Sequence, residues 1–217
     1  MSRPCIAVLG GSFDPVHNGH VALGGYFARL LFPDTLRLIP AGNPWQKQPL
    51  EASAEDRIAM LKLAFRGLPV PVVIDEQEIR RQGATYTIAT LKSLRAELGT
   101  DAAIAFLIGA DQLQRLDTWV EWESLFDLAH ICAAARPGFS VDEAHLPQAV
   151  RREFARRAGT PQQLRDTPHG LTYLAGNLDI DIAATDIRAA LRRGEAPAAL
   201  IPGAVLDYIK SHHLYQD

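Results

Sequence analysis

The sequence has few cysteines and lacks several features by which secreted, membrane-spanning or nucleic-acid-binding proteins are recognised. Only 2 of its 217 residues are cysteines, Cys5 and Cys132, and both lie in apolar runs, which excludes a disulfide framework or a cysteine-rich metal site. Its apolar runs stay short of the roughly 18 residues that a membrane-spanning helix needs. The formal net charge of −3 provides no basic field to attract nucleic acid. We therefore expect a cytoplasmic protein with neither a membrane nor a nucleic-acid partner.

Two common phosphate-binding signatures and a secretion signal are also missing. No G-x-x-x-x-G-K-[ST] occurs, which excludes a P-loop protein, and the absence of G-x-G-x-x-G leaves little support for a nicotinamide-dinucleotide dehydrogenase. The opening run MSRPCIAVLGG has no small-residue cleavage region. It predicts a first strand in place of a signal peptide.

The hydrophobic residues occur in short runs that alternate with longer amphipathic ones. Hydrophobic residues make up 47% of the chain and charged residues 22%, which is enough apolar material for the full core of one domain. The alternation predicts an α/β fold with a doubly wound parallel sheet. The predicted strands are Cys5–Leu9, Leu36–Ile39, Val70–Ile74, Ala103–Ile108 and Ile131–Ala135, and the predicted helices are His20–Leu31, Ala54–Phe65 and Tyr86–Leu98.

The pattern changes in the last third of the chain. Residues 138–170 are rich in Arg, Gln and Pro, and we interpret them as a variable excursion from the core with one helix near Asp142–Arg157. Two more strands are predicted at Leu171–Leu174 and Leu178–Ile182. A small helical part at about 185–217 then ends a single domain that spans residues 1–217. Its two helices are predicted at Asp186–Arg193 and Ala204–His212.

The first loop carries the strongest functional signal. After the first strand the sequence reads GGSFDPVHNGH, from Gly10 to His20, and a helix follows. In open α/β sheets ligands bind where strands end and loops lead into helices. Glycines let the backbone approach a ligand closely, and the N-terminus of a helix favours an anion. The loop therefore predicts a phosphate site.

His17 and His20 stand three residues apart at this helix entrance. Their imidazoles can donate hydrogen bonds, or carry charge, where phosphate charge shifts during group transfer. Two other interpretations stay open at this point: a metal site that includes Asp14, for which no third histidine or cysteine is nearby, and a plain glycine turn with two surface histidines.

These residues resemble the motif G-x-F-D-x-x-H-x-G-H of the nucleotidyltransferase superfamily. Within it, the chain from Gly10 to the Tyr208–Tyr215 region is similar to the bacterial nicotinate-nucleotide adenylyltransferases. The resemblance implies a Rossmann-like fold that binds ATP and nicotinate mononucleotide and forms deamido-NAD and pyrophosphate. It implies catalytic roles for His17, His20, Lys47 and Arg188, and ATP contacts from these four and from Gly10, Gly11, Ser12, Phe13, Thr185 and Ile187.

Two further segments match the family pattern in part. The family's I-S-[ST]-T-x-I-R reads IAATDIR here, from Ile182 to Arg188, so alanines replace both hydroxyl residues. We expect Thr185 to cap the helix that begins there and Arg188 to face the triphosphate; a solvated surface arginine is the alternative. The family's N-P-P-H-K reads NPWQK, which keeps Lys47, and Arg57 is expected to support the same region.

The acceptor side is assigned from the resemblance as well. Thr85 and Tyr86 lie in a loop whose backbone would meet the nicotinate carboxylate. Trp119 would stack on the pyridine ring, while Trp122 is assigned to the core. Asp111 would accept hydrogen bonds from ribose hydroxyls, or cap a helix over Gln112–Leu116. Gly109 and Arg136 complete the predicted acceptor site.

The implied reaction is a direct attack of the mononucleotide phosphate on the α-phosphorus of ATP. Mg²⁺ is expected to bridge the ATP phosphates and to be held by ATP and water, so that no metal site is predicted on the protein. Sister enzymes that act on nicotinamide mononucleotide or phosphopantetheine, and a nucleotide sensor without turnover, remain as alternatives. Whether the chain forms a homo-oligomer is left open.

Overall fold

A computed structural model describes residues 3–42, 50–134, 146–176, 178 and 182–216. Two predicted site residues, Lys47 and Arg136, lie outside this range, as does most of the strand predicted at Leu178–Ile182. Within the described residues no helix is long and apolar enough to cross a membrane.

Six strands form a single parallel sheet. They are β1 (Cys5–Gly11), β2 (Thr35–Pro40), β3 (Val72–Ile74), β4 (Ala103–Gly109), β5 (His130–Ala134) and β6 (Thr172–Ala175). The strand order is β3-β2-β1-β4-β5-β6, and every pair of neighbours is parallel. This is the order of a doubly wound fold whose direction of winding reverses between β1 and β4. The predicted fold class is confirmed.

Helices connect the strands and cover both faces of the sheet. Two of them, at Ala110–Thr118 and Trp122–Asp127, are 3₁₀ helices. The α-helices of the described residues are α1 (Asn18–Leu31), α2 (Ala54–Ala64), α3 (Gln77–Arg80), α4 (Thr87–Leu98), α5 (Gln148–Arg156), α6 (Pro161–Asp166), α7 (Ala184–Arg192) and α8 (Gly203–Ser211).

In β1, successive side chains are apolar and do not alternate with polar ones, because they point into cores on both faces of the sheet. Ala7 and Leu9 point into one hydrophobic cluster, which includes residues of α1, α2, α7 and α8. Ile6 and Val8 point into the other, which includes residues of α4 and α5. Both faces of a parallel sheet are buried, so every position of a central strand must be apolar.

The described part of the predicted excursion contributes to the core. Helices α5 and α6 join β5 to β6, and their Val150, Phe154 and Leu164 side chains are buried. Arg157 stacks over the Phe126 ring, with 4.6 Å from its guanidinium carbon to the ring centroid, and its Nε donates to Glu153 at 2.8 Å. One face of this basic segment therefore packs on the sheet, although residues 138–145 lie outside the described range.

A buried histidine holds the start of β5, and no sequence pattern pointed to it. His130 has no exposed surface. Its Nδ1 accepts the Leu171 N–H at 3.1 Å, so its Nε2 carries the proton that is donated to the Thr167 carbonyl at 2.9 Å. Burial lowers the pKa of His130 to about 4, against 6.5 for an ordinary histidine. The neutral ring links β5 to the turn before β6.

Candidate active site

The first loop lies where the winding of the sheet reverses. Gly10 and Gly11 end β1, beside Ile39 and Pro40 of β2. On the other side of β1 runs β4, which ends at Gly109. Because all strands are parallel, these ends share one edge of the sheet, which is the expected ligand crevice of a doubly wound fold.

The two histidines of the loop are in contact. Their ring centroids lie 3.7 Å apart with 31° between the ring planes. His17 is buried and His20 is half-buried. The Phe13 ring packs edge-on against His20, with 4.9 Å between the ring centroids; Phe13 is buried and has a φ of 50°. The His20 imidazole therefore contacts two other rings of the first loop.

A hydrogen bond fixes the protonation of His20. The backbone N–H of His17 donates to Nδ1 of His20 at 3.2 Å. An accepting Nδ1 carries no proton, so the proton of the neutral ring is on Nε2. Nδ1 of His20 therefore accepts the N–H of His17, the N-cap of α1, and Nε2 carries an N–H of the kind that a phosphate oxygen accepts.

At the start of α1, fewer backbone N–H groups are left for an anion than the N-terminus of a helix usually provides. The Asn18 N–H donates to the Leu200 carbonyl at 2.8 Å, and the His20 N–H donates to the His17 carbonyl at 2.9 Å. Of the first three helical residues, Gly19 alone has an amide without a described backbone partner. The donors expected for an anion at this helix start are therefore the Gly19 N–H and the His20 side chain.

Arg57 ties the end of β2 to the first loop. One of its terminal nitrogens, Nη1, donates to the Ser12 carbonyl at 2.9 Å and to the Ala41 carbonyl at 2.8 Å. The side chain is buried, and burial lowers the pKa of Arg57 while the nearby Asp14 charge raises it. Arg57 thus fixes Ala41, which precedes the segment that contains residue 47. It supports the site and is not placed as a phosphate ligand.

Asp14 holds the far end of the same segment. Its Oδ2 accepts the Glu51 N–H at 2.7 Å, and its Oδ1 accepts the Ala52 N–H at 3.1 Å and the Tyr215 hydroxyl at 2.7 Å. With these three bonds the buried carboxylate is a structural acceptor. This argues against the metal site considered for Asp14, His17 and His20. Within the part of the chain that the structure describes, no group of three or more His, Cys, Asp or Glu side chains could hold a metal ion.

Helix α7 brings Arg188 to the first loop. Its Nη1 donates to the Asp14 carbonyl at 2.7 Å, and its Nε donates to a Glu51 carboxylate oxygen at 2.8 Å. The other Glu51 oxygen accepts from Arg192. A solvated surface arginine does not describe this residue, whose side chain is 18% exposed. Glu51 had no signal in the sequence, because it lies in an irregular segment outside every motif.

The start of α7 differs from the prediction. Its N-cap is Ala183, with extended backbone, and the Ala183 carbonyl accepts the N–H groups of Asp186 and Ile187 at 3.1 and 3.3 Å. Thr185 is therefore in the first turn and exposed, and the prediction that it caps the helix is wrong. Alanine is a strong helix former, so the helix begins earlier, at Ala184. The Ile187 side chain is buried, and its N–H is already donated to the Ala183 carbonyl.

The predicted acceptor loop is held by a buried carboxylate. The Glu78 side chain in α3 accepts the Thr90 hydroxyl at 2.6 Å and also hydrogen-bonds with the Thr85 side chain. Burial raises the pKa of Glu78, and the two threonine bonds counteract the shift. Thr85 is buried, and its side chain is hydrogen-bonded to Glu78. Tyr86 follows as the N-cap of α4.

Trp119 and Gly10 of the first loop both lie against the Phe106 side chain. The Phe106 ring in β4 meets Trp119 edge-on at 6.4 Å, and a Cβ added to Gly10 would lie 3.6 Å from the same ring. The buried indole nitrogen of Trp119 has no protein acceptor among the described residues. Trp122 also packs on the core, edge-on to Phe126, and is half-buried like Trp119.

Asp111 is exposed at the end of β4. The 3₁₀ helix begins at Ala110 with Gly109 as its N-cap, so the alternative that Asp111 caps a helix is wrong. Its Oδ1 leans over Gly109, where a Cβ would collide with it. The carboxylate is exposed, and its Oδ2 accepts from the Gln112 side chain.

Comparisons with known proteins place this geometry in a class. The family model described as cytidylyltransferase-like matches residues 8–190. A probable nicotinate-nucleotide adenylyltransferase from Herminiimonas arsenicoxydans is 64% identical over 98% of this chain and 97% of its own length. One from Laribacter hongkongensis is 43% identical over 100% of this chain and 96% of its own length.

The fold is shared with a more distant solved structure. Plasmodium falciparum nicotinic acid mononucleotide adenylyltransferase complexed with NaAD has a TM-score of 0.74 at 18% identity, with 98% of each chain covered. Within the cytidylyltransferase-like class, the chain belongs to the nicotinate-nucleotide adenylyltransferase family.

Proposed function

We propose that the protein transfers the adenylyl group of ATP to nicotinate mononucleotide, which yields nicotinate adenine dinucleotide and pyrophosphate. The nearly full-length similarity to proteins named for this activity supports the reaction. The observation on the molecule that carries it is that residues of two helices meet at one loop. Helix α1 begins at Asn18 of the first loop, and α7 reaches that loop through the 2.7 Å bond from Arg188 to the Asp14 carbonyl.

This arrangement suits an anion whose charge moves during the reaction. The N-terminus of α1, the His20 side chain and the Arg188 guanidinium all lie at the first loop, and each favours a negative charge. An oxygen of the mononucleotide phosphate attacks the α-phosphorus of ATP, and the bond from that phosphorus to the bridging oxygen breaks. Pyrophosphate leaves with the electron pair. Because the attacking oxygen is already ionised, the protein contributes positioning and charge stabilisation without a covalent intermediate.

We assign the ATP contacts to the first loop, to His20 through Nε2, to the start of α7 and to Arg188, with Lys47 expected from the segment outside the described residues. Mg²⁺ is proposed to accompany the triphosphate, since Mg²⁺ prefers phosphate oxygens and water over an all-protein cage. The ion would neutralise charge on the departing pyrophosphate. The commitment of the Asp14 oxygens to Glu51, Ala52 and Tyr215 agrees with a metal held by the substrate.

The acceptor is proposed to lie between Trp119 and the Thr85–Tyr86 backbone. Trp119 can stack on the pyridine ring, and its indole N–H has no protein acceptor within the described residues. Backbone amides favour the carboxylate of nicotinate over the amide group of nicotinamide, whose NH₂ would face other donors. Each mismatched buried polar group costs about 1–3 kcal/mol, so one or two of them give an expected preference of roughly 10- to 1000-fold.

The test is pyrophosphate release from Mg-ATP with three acceptors in parallel: nicotinate mononucleotide, nicotinamide mononucleotide and phosphopantetheine. The highest kcat/KM is expected for nicotinate mononucleotide, with no release when the acceptor is omitted. Equal values for the two pyridine nucleotides would refute the acceptor assignment and leave adenylyl transfer intact. Binding of ATP without release for any acceptor would identify a sensor.

A further inference from the structure

The carboxylate of Asp14 joins three distant segments of the chain. It belongs to the first loop, it accepts two backbone N–H groups of residues 51 and 52, and it accepts the hydroxyl of Tyr215 near the C-terminus. Asp14 is 5% exposed and Tyr215 7% exposed, so water does not replace these bonds easily. We name this group, consisting of Asp14, Glu51, Ala52 and Tyr215, the Asp14 clip.

The clip is directly connected to Arg188, which the proposed function assigns to the phosphates of ATP. The Asp14 carbonyl accepts from Arg188, and the Glu51 carboxylate accepts from the same arginine at 2.8 Å. Both partners that hold the Arg188 guanidinium are therefore members of the clip. A change in the position of Asp14 or Glu51 must move the guanidinium, or leave it without one of its acceptors.

The hydroxyl of Tyr215 is a hydrogen-bond donor to the negatively charged carboxylate of Asp14. Hydrogen-bond donors hold a buried carboxylate in one orientation, and the loss of one donor leaves an oxygen of the buried charge unsatisfied, at a cost in free energy. Two cations lie near Asp14: Arg188, which donates to the Asp14 carbonyl, and Arg57, whose pKa the Asp14 charge raises. Burial and the Asp14 bond raise the pKa of Tyr215, so the phenol remains a donor at every working pH.

We propose that Tyr215 is a positioning residue for ATP: its hydroxyl keeps the Asp14 carboxylate turned away from the phosphates, and so keeps Arg188 directed toward them. The inference rests on the proposed function for its substrate. It extends the ATP site to a residue 201 positions from Asp14 in the sequence.

The experiment compares Tyr215→Phe with Tyr208→Phe. Tyr208 is the matched control because its hydroxyl also donates to a carboxylate, Asp56 of α2, at 3.0 Å, and it lies in the same C-terminal part. We expect Tyr215→Phe to raise the Kd for the non-transferable analogue α,β-methylene-ATP with Mg²⁺ by roughly 5- to 50-fold. The kcat/KM for ATP should fall by a similar factor, while the KM for the acceptor stays unchanged. Tyr208→Phe should remain within about twofold of the parent in all three measurements.

A merely structural tyrosine would lower the thermal midpoint without changing analogue binding to the folded protein. Parent-like binding by Tyr215→Phe, or an equal loss in Tyr208→Phe, would therefore overturn the proposal. A second measurement needs no variant. The analogue is expected to slow hydrogen exchange of the Glu51 and Ala52 amides in the parent, and unchanged exchange on binding would also overturn it. Absence of pyrophosphate release with every acceptor would refute the proposed function, while analogue binding would still test Tyr215.

Discussion

At the scale of single residues, the chemistry of the first loop depends on which nitrogen of His20 carries the proton. The sequence predicted that His17 and His20 flank a phosphate, and it could not distinguish between their roles. The bond from the His17 N–H to Nδ1 of His20 makes that distinction, because it leaves Nε2 as the donor. This bond depends on the orientation of a side chain at a helix start, which residue spacing does not encode.

Replacement of His20 tests the donor role. His20→Ala should fold and lose roughly 10²- to 10³-fold in kcat, the usual effect of removing one preorganised donor to a transition state. His20→Asn is the matched variant, since its side-chain oxygen can still accept the His17 N–H while no donor takes the place of Nε2. We expect it to be as impaired as His20→Ala. Steady-state kinetics at saturating substrates decide the matter, and near-parent turnover in His20→Asn would contradict the role.

Arg188 is expected to matter more than its neighbour Arg192. Arg188→Ala should lower kcat/KM for ATP by roughly 10- to 100-fold, because a hydrogen bond to a charged group is lost. Arg188→Lys should recover only part, since one ammonium cannot reproduce the bonds to Asp14 and Glu51. Arg192→Ala is the control, because Arg192 shares Glu51 and its side chain is 39% exposed. A larger loss in Arg192→Ala than in Arg188→Ala would contradict the assignment.

His130 should make stability depend on pH. Its folded pKa of about 4 lies below the ordinary 6.5, so between these values the unfolded chain binds a proton that the folded protein does not. Stability is therefore full above about pH 6.5 and decreases as the pH falls toward 4, by at most about 3 kcal/mol.

Denaturant unfolding across this range measures the effect. His130→Gln should be less stable at neutral pH and should show a flatter pH dependence. His212→Gln, at an exposed position, should keep the slope of the parent. An unchanged slope in His130→Gln would show that another group is responsible.

At the scale of elements, the alternation of apolar and amphipathic runs predicted the strands and long helices, because each must bury a face. At the start of α2, Ser53 is the N-cap, and its hydroxyl accepts the Asp56 N–H at 3.1 Å. The predicted start of α7 was wrong. A capping hydroxyl was assumed at Thr185, whereas the backbone begins the helix at Ala184, with Ala183 as an N-cap that has no polar side chain.

This missing cap can be restored. Ala183→Ser places a hydroxyl where the N-cap is extended, with φ −108° and ψ 130°, and should stabilise the protein by about 1 kcal/mol. For a chain of this size that corresponds to a rise of about 2–4 °C in Tm. Ala184→Ser, one residue into the helix, is the control and should give no gain. Equal effects of the two substitutions in thermal unfolding would contradict the N-cap assignment.

At the scale of the whole molecule, the site is assembled by contacts that local sequence does not reveal. The bond from Tyr215 to Asp14 and the bond from Asn18 to Leu200 connect the C-terminal part to the first loop. The sequence located the crevice because parallel strands end at one edge. It did not predict Glu51 or His130, whose partners are far away in the chain and are brought near only by the folded sheet.

The most direct test of the proposed reaction follows the phosphorus atoms of ATP. The protein is incubated with nicotinate mononucleotide and Mg-ATP labelled either at the α- or at the γ-phosphate, and the products are separated. Label from the α-phosphate is expected in nicotinate adenine dinucleotide, and label from the γ-phosphate in pyrophosphate. γ-Label in an acceptor product, or no labelled dinucleotide at saturating substrates, would contradict adenylyl transfer to nicotinate mononucleotide.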